Sequence, residues 1–531
     1  MLDVAEGNLR ERAERVLAYH QQTKHRQDGY AAGPETLDWD AQPSPYRQFA
    51  GAPVTLLPLV SDGIDTPFAA LTGQCPVAPA APDIRSLGAL LELSLGLAAI
   101  KEYGPDRWAL RCNPSSGNLH PTEAYVVARG IGGIPDGVHH YRPAEHGLEL
   151  RCSTILEKPG LWIALSSIFW REAWKYGERA FRYCQLDVGH ALGAIAAACA
   201  VLGWQARVVP GIGADALERL LGLERERDFG RSEKEEAEVL IHIDTEPARG
   251  GRDDIPVPLC VGEPRWSGIA NLLDPRPMYR WPVIESVAGA SRGTIESLDL
   301  AGRVPASAAP VARAPQIILQ RRSAQRYARD HVMPASVFSR ILDSASGVLE
   351  QGELHLLAFV HNVEGLEQGL YALPAHTADE PRLRAAMDGS LVWEDVPEMA
   401  LVPAFKRLAA GDFRKLVRAL CCHQPIAADS CATFCMLAEF GDAIAVEPWR
   451  YRKLHWQAGL IGQRLYLEAE ASGHAGTGIG CFLDDEIHRV LGLTGETFQA
   501  VYHFAMGRAL TDERISSVPA YPGRFRLEAR L

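Results

Sequence analysis

Hydrophobic residues along this chain fall into two patterned stretches separated by a long unpatterned one. Apolar spacing over Val4–Lys24 predicts a helix, and a stretch punctuated by Pro and Gly follows it through Gly51-Ala52-Pro53. Ser86–Leu97 has helical spacing, Ala124–Arg129 the continuous apolar run of a strand, Leu186–Leu202 the length of a long helix, and Glu238–Ile243 a second strand. Thr245–Pro315 is rich in Pro and Gly and ends in an Ala/Pro/Ser run at Val304–Pro315, which predicts a linker wrapped over the surface. A second mixed segment begins at Gln316. The chain thus divides into an N-terminal extension (1–82), a first half (83–245), a linker (246–315) and a second half (316–531).

The two halves share an ordered set of matches. Leu90-Leu91-Glu92-Leu93 resembles Ile341-Leu342-Asp343-Ser344, and Gly137-Val138-His139-His140-Tyr141 resembles Gly369-Leu370-Tyr371-Ala372-Leu373. Arg182-Tyr183-Cys184-Gln185-Leu186 resembles Arg450-Tyr451-Arg452-Lys453-Leu454, Leu221-Gly222-Leu223 resembles Leu491-Gly492-Leu493, and Val239–Ile243 resembles Val501–Ala505. The offset drops from 251 at the first match to 232 at the second, so the second half is shorter between its first helix and its first hairpin. In the first half that interval holds Asn113-Pro114-Ser115-Ser116-Gly117-Asn118-Leu119-His120-Pro121-Thr122-Glu123, which has no counterpart. The second half instead carries Gln320-Arg321-Arg322-Ser323-Ala324-Gln325-Arg326 ahead of its first helix. Each half holds a block that the other lacks.

At 531 residues the chain is too long for one ordinary core, and 47% hydrophobic with 23% charged residues is a globular balance. A net charge of −12 argues against a nucleic-acid partner. The longest apolar stretch, Leu186–Trp204, contains Asp187 and His190 and is rich in Ala and Gly, so it is expected as a buried packing helix and not a membrane span. Eleven cysteines without a disulfide-framework spacing, and an acidic N-terminus without a signal-type apolar region, lead to the expectation of a reducing cytoplasm.

Arg321, Arg322 and Arg326 with Ser323 offer clustered guanidinium forks and a hydroxyl suited to a phosphate monoester; the same residues also suit a solvated basic helix start. Pro114-Ser115-Ser116-Gly117-Asn118 is a tight turn whose hydroxyls and amide can meet the edge of a planar heterocycle, or simply solvent. Cys421-Cys422-His423 with Cys431 and Cys435 lacks C-x2-C spacing, and no metal site is expected; Cys431 and Cys435 fit one helix face as buried thiols. Asp187 and His190 share a helix face as a mutually satisfied buried pair or as a relay. No Rossmann fingerprint, phosphate-binding P-loop or nucleophile elbow is present.

Together with Arg171-Glu172-Ala173-Trp174-Lys175-Tyr176-Gly177-Glu178-Arg179, these blocks resemble the nitroreductase superfamily of FMN proteins, in particular SagB/ThcOx-type dehydrogenases. The resemblance implies an α+β fold of tandem nitroreductase-like halves forming an intrachain pseudo-dimer. In the family's homodimers one subunit's Arg-Arg-Ser block holds the flavin phosphate and the other subunit's Pro-Ser-Ser loop covers the ring. The complementary blocks here therefore imply one complete FMN site and one dead one, with Gly211-Ile212-Gly213, an echo of Gly478-Ile479-Gly480, marking the dead site.

By the same resemblance Pro114, Ser115, Ser116 and Asn118 cover the ring, and Arg321, Arg322, Ser323 and Arg326 bind the phosphate. Gly480 and Cys481 face the flavin edge, Arg508 and Arg514 join the phosphate cluster, and Lys175 and Tyr176 act in proton transfer in the field of Arg171, Arg179 and Arg182. The glycines of the Thr477–Asp485 turn fit a close backbone approach, and equally a helix C-cap. Lys175 or Tyr176 can serve as base if its pKa is lowered; Trp174-Lys175-Tyr176 can also be a packing corner. The expected function is FMN-dependent oxidoreduction of a small or peptide-derived substrate, with NAD(P)H or oxygen as possible redox partner, in a pseudo-dimeric monomer that needs neither membrane nor nucleic acid. An NAD(P)H-dependent nitro or quinone reductase and a catalytically idle flavin-binding scaffold are the alternatives.

Overall fold

The structure is a computed structural model that describes residues 2–154, 156–247, 255–296 and 298–524. Two antiparallel sheets share the same order over six strands and differ in the edge strand with which each begins. The first runs Arg265–Trp266, Gly147–Ser153, Gly137–Arg142, Thr122–Arg129, Gly160–Ser167, Glu236–Asp244, Gln205–Val208. The second runs Glu394–Asp395, Lys406–Ala410, Gly369–Leu373, Leu354–Val360, Ala432–Glu439, Phe498–Gly507, Ala475–Ile479. All five sequence matches fall on equivalent elements. The helices Ile84–Ser94 and Ala335–Leu349 correspond, as do Ala180–Val201 and Arg450–Ala471, and the short helices Ala214–Leu221 and Asp484–Leu491 both end on a left-handed glycine, Gly222 and Gly492.

Between the sheets lies one shared core. Ala124, Val126 and Ala128 of one sheet and Leu356, Ala358 and Val360 of the other point into it, while the alternate residues Tyr125 and Val127, or Leu357 and Phe359, point into separate outer cores. The paired helices Ala180–Val201 and Arg450–Ala471 cross at its centre, where Gly189 and Gly459 face each other. A Cβ on Gly189 would strike the Trp456 carbonyl, and one on Gly459 the Leu186 carbonyl. Glycine at these two equivalent positions lets the backbones touch. The apolar run Phe169–Val201 is long and apolar enough to cross a membrane by length and composition, but it is buried within this core.

Several boundaries differ from the sequence expectation. The first long helix starts at Ala180, and Leu97 opens a strand (Leu97–Tyr103) that pairs with Asp106–Arg111. This hairpin and the Pro114–Asn118 loop fill the interval that the second half lacks. Cys431 precedes and Cys435 lies within the strand Ala432–Glu439, not on a helix. That strand is buried on both faces, so its apolar run carries no alternation to separate it from a helix. Gly478 lies in the strand Ala475–Ile479 and Gly480 follows it, neither at a helix C-cap.

The span read as linker contains the helix Pro282–Ala290, which packs against the N-terminal helix Leu2–Gln22. The two are equivalent by their contacts. Arg182 donates to the His20 carbonyl and to Thr23 Oγ1 at 3.0 Å. Arg452, at the same place in the partner helix, donates to the Ala288 carbonyl at 2.7 Å and to Ser291 Oγ at 3.0 Å. Pro67 and Arg313 bridge where the two lead-ins cross, with Phe68 N–H donating to Ala312 and Ala314 N–H to Thr66. At the C-terminus, Ser516–Pro519 pairs with Leu97–Tyr103, so the second half adds a strand to the first half's hairpin.

Candidate functional site

A cavity of about 860 Å³ opens where the two halves meet. The first half contributes Pro114–Asn118 and the hairpin residues Lys101 and Trp108. The second contributes Gln320–Gln325, Gly478–Cys481 and Arg508–Asp512, and the paired helices form the floor with Asp187, His190 and Tyr466. The two blocks that the sequence placed in different halves thus line one cavity.

The covering loop is held from within. Gly117 and Asn118 both adopt φ of +60°, a left-handed conformation that glycine and asparagine tolerate. Ser116 donates through both N–H and Oγ to Asp187 at 3.1 Å, and His120 N–H donates to Ser115 Oγ at 2.8 Å. Asn118 Nδ2 donates to the Ala109 carbonyl at 3.0 Å, and its Oδ1 lies 3.0 Å from His120 Nε2. The side chains of Ser115, Ser116 and Asn118, expected to meet a ligand's edge, are therefore bonded inside the loop and to the helix beneath it. Asp187 and His190 are not a mutual pair, because His190 Nε2 lies 2.9 Å from the Tyr502 hydroxyl.

At one end the cavity is cationic. Arg321 is buried, donates Nε and Nη2 to the carbonyls of Cys112 and Arg111 at 3.1 and 3.2 Å, and lies 4.9 Å from the Tyr466 ring centre. Its Nη1 is buried without a partner. Arg322, Arg508 and Lys101 line the same space, with Glu470 as a nearby carboxyl. Burial, and then Arg321, lower the Arg322 pKa; burial, and then Arg322, lower that of Lys101. Such mutual repulsion is relieved by an anion. Ser323 Oγ lies 2.8 Å from the Tyr466 hydroxyl. Arg326 and Arg514 do not line the cavity: Arg326 is exposed, and Arg514 is exposed and paired with Asp512 at 2.7 Å. Lys101 and Tyr466 were not legible in advance, since nothing in their local sequence separates them from hairpin and helix residues.

The same Tyr466 hydroxyl accepts the Gly478 N–H at 2.8 Å. A Cβ on Gly478 would overlap the Tyr502 hydroxyl, and one on Gly480 would meet the Tyr183 ring, so these glycines make room for tyrosines. The Gly211-Ile212-Gly213 echo is out of register: aligning the short helices that follow places Gly211 opposite Cys481, not Gly478.

Lys175 and Tyr176 end the helix Phe169–Tyr176 and meet the covering loop at Gly117, where a Cβ would lie 3.2 Å from Lys175 Nζ. Lys175 Nζ sits 5.3 Å from the Trp39 ring centre. Burial lowers the Lys175 pKa against the pull of Glu172, while burial and Glu172 push Tyr176 well above its ordinary value. Of the two, only the lysine is moved in the direction a base requires. Arg171, Arg179 and Arg182 are not among the groups that shift Lys175 or Tyr176. Arg171 pairs with Glu123, and Arg179 and Arg182 both pair with the buried Asp484, at 2.8 and 2.7 Å. Below the loop, burial raises Asp187 to about 7, and burial with the neighbouring Asp187 raises Glu172 well above the usual carboxylate range.

The pseudo-symmetric position holds a smaller cavity of about 370 Å³, lined by Gly193–Ala200 and Leu460–Leu467 and occupied along one side by Phe68–Val77 and Leu300–Val304. Its Arg464 donates to the carbonyls of Leu71 and Ala301 at 3.3 and 2.8 Å. No covering loop and no arginine cluster stand there among the described residues.

Residues 318–508 match the model of the Nitroreductase family. A protein of Methanocaldococcus jannaschii named as a nitroreductase is 31% identical over 106 residues, 17% of this chain. The match spans 52% of that relative's length. A solved structure from Anabaena variabilis, also named as a nitroreductase, superposes with a TM-score of 0.67 at 22% identity, covering 93% of this chain and 99% of that one. The chain has a tandem nitroreductase-like α+β fold.

Proposed function

We propose that this protein is an FMN-dependent oxidoreductase of the SagB/ThcOx type, which oxidises a small or peptide-derived substrate at one site per chain. The observation that carries this is the single cavity built from the first half's covering loop and the second half's arginine cluster. The residues fit a flavin mononucleotide: the partnerless Arg321 Nη1 lies among other cations where a phosphate would be received, and the Pro114–Asn118 loop lies over the flat remainder. Bound flavin would supply a two-electron acceptor for hydride.

The chain's own residues divide the remaining work. Arg321, Arg322 and Arg508 bind and orient the phosphate. Asp187 fixes the covering loop through Ser116, and Tyr466 fixes the Gly478 backbone. Lys175, its ammonium form disfavoured by burial, accepts the proton that the substrate gives up as its hydride leaves, and Tyr176 remains a protonated donor beside it. The test is the flavin-to-chain ratio after reconstitution with excess FMN. One is expected, because the pseudo-symmetric cavity lacks both blocks. A ratio near two, or no binding, would overturn the assignment.

A further inference from the structure

Two cysteines, one of them lining the cavity, lie on segments that the fold brings together from far apart in sequence. Cys481 lines the cavity in the turn after Ala475–Ile479, and Cys422 follows the helix Arg414–Leu420. Both are half-buried. The segments are fastened together: Leu483 N–H donates to the Leu420 carbonyl at 2.7 Å, and Gln424 Nε2 donates to the Cys481 carbonyl at 3.2 Å. Cys422 and His423 both adopt left-handed backbone, with φ of +51° and +60°. Such a conformation is costly without glycine, and it is kept where surrounding structure holds a side chain in place. The two side chains act on each other: Cys422 is the main cause that lowers the Cys481 pKa to about 5, and Cys481 raises that of Cys422.

A third group completes the cluster. His25 Nδ1 accepts the Ala31 N–H at 3.0 Å, which leaves the neutral ring's proton on Nε2. His25 and Arg179, which donates to the Gly480 carbonyl at 3.2 Å, both lower the Cys481 pKa. These groups favour the Cys481 thiolate, whereas Cys422 stays a thiol.

We propose that Cys481 and Cys422 form a redox-active dithiol that reacts with low-molecular-weight disulfides through the cavity mouth. The Cys481 thiolate attacks one sulfur of the small disulfide, forming a mixed disulfide and releasing the other half as a thiolate. Cys422 then loses its proton, and its sulfur displaces the remaining half, closing a Cys422–Cys481 bond. The protein pair loses two electrons, and the small disulfide is reduced to two thiols. No flavin takes part, so the proposal stands apart from the flavin assignment.

The test uses the flavin-free full chain with oxidised glutathione as probe, followed by peptide mapping. A Cys422–Cys481 cross-link that dithiothreitol reverses is expected. Cys481 should react about tenfold or more faster at neutral pH than the exposed Cys260. Cys422→Ser should halt the reaction at glutathione on Cys481, and Cys481→Ser should abolish it at both positions. Modification of Cys260 alone, or Cys422 reacting equally fast without Cys481, would overturn the proposal. The wild-type map decides the matter even if a variant folds poorly.

Discussion

Replacing Arg321 with alanine separates a phosphate-binding role from a bracing one. Arg321 ties the second half to the first through the carbonyls of Arg111 and Cys112, and its third nitrogen, Nη1, is buried without a partner. If Nη1 receives a phosphate oxygen, its loss removes a charge-assisted hydrogen bond worth roughly 1.5–3 kcal/mol, or about ten- to a hundredfold in FMN affinity. The lost carbonyl bonds lower the stability of the flavin-free chain as well, by about 1 kcal/mol each, because water entering from the cavity replaces part of them. Riboflavin, which has the ring but no phosphate, tells the two effects apart. Titration by quenching of flavin fluorescence should show FMN affinity falling by the stated factor and riboflavin affinity moving by less than about threefold. Arg321→Lys keeps the charge but not the fork, and should fall between. An equal loss for both ligands would refute the reasoning and leave Arg321 as a brace of the Arg111–Cys112 backbone.

Three further outcomes are expected. Gly459→Ala inserts a methyl against the Leu186 carbonyl at the crossing of the long helices and should destabilise the chain by about 3 kcal/mol or more, read by urea unfolding; an unchanged midpoint would mean the halves are not packed through this contact. The folded-state pKa of Asp187 is raised to about 7, so its contribution to stability is full below pH 4 and is lost as pH rises to 7. Asp187→Asn should therefore gain on the order of 2–4 kcal/mol relative to wild type between pH 4 and pH 8, and a pH-independent difference would contradict this. Lys175→Ala should retain FMN and melting temperature while substrate-dependent flavin reduction falls by a factor on the order of 10²–10⁴, whereas parallel loss of all three would mark a packing corner.

Much of this protein is legible in its sequence because much of it is local. Helical periodicity, strand runs and the glycine after each short helix are set by neighbouring residues, so equivalent patterns in the two halves became equivalent elements in the same order. The complementary blocks could be read as a difference in spacing, and the cavity contains both. What local pattern could not specify is which segment crosses over to the other half. That Phe68–Val77 lies along the pseudo-symmetric cavity, that Ser516–Pro519 completes the first half's hairpin, and that Pro282–Ala290 stands opposite the N-terminal helix all depend on pairings hundreds of residues apart. The same holds within the site. Ser115, Ser116 and Asn118 carry groups suited to a ligand, yet Asp187, Ala109 and His120 lie close enough to bind them first. Three arginines expected to act on Lys175 are instead engaged by Glu123 and Asp484. A hydrogen-bonding group goes to whatever partner the folded chain brings nearest, and that distance is a property of the tertiary structure, not of the residue that carries the group.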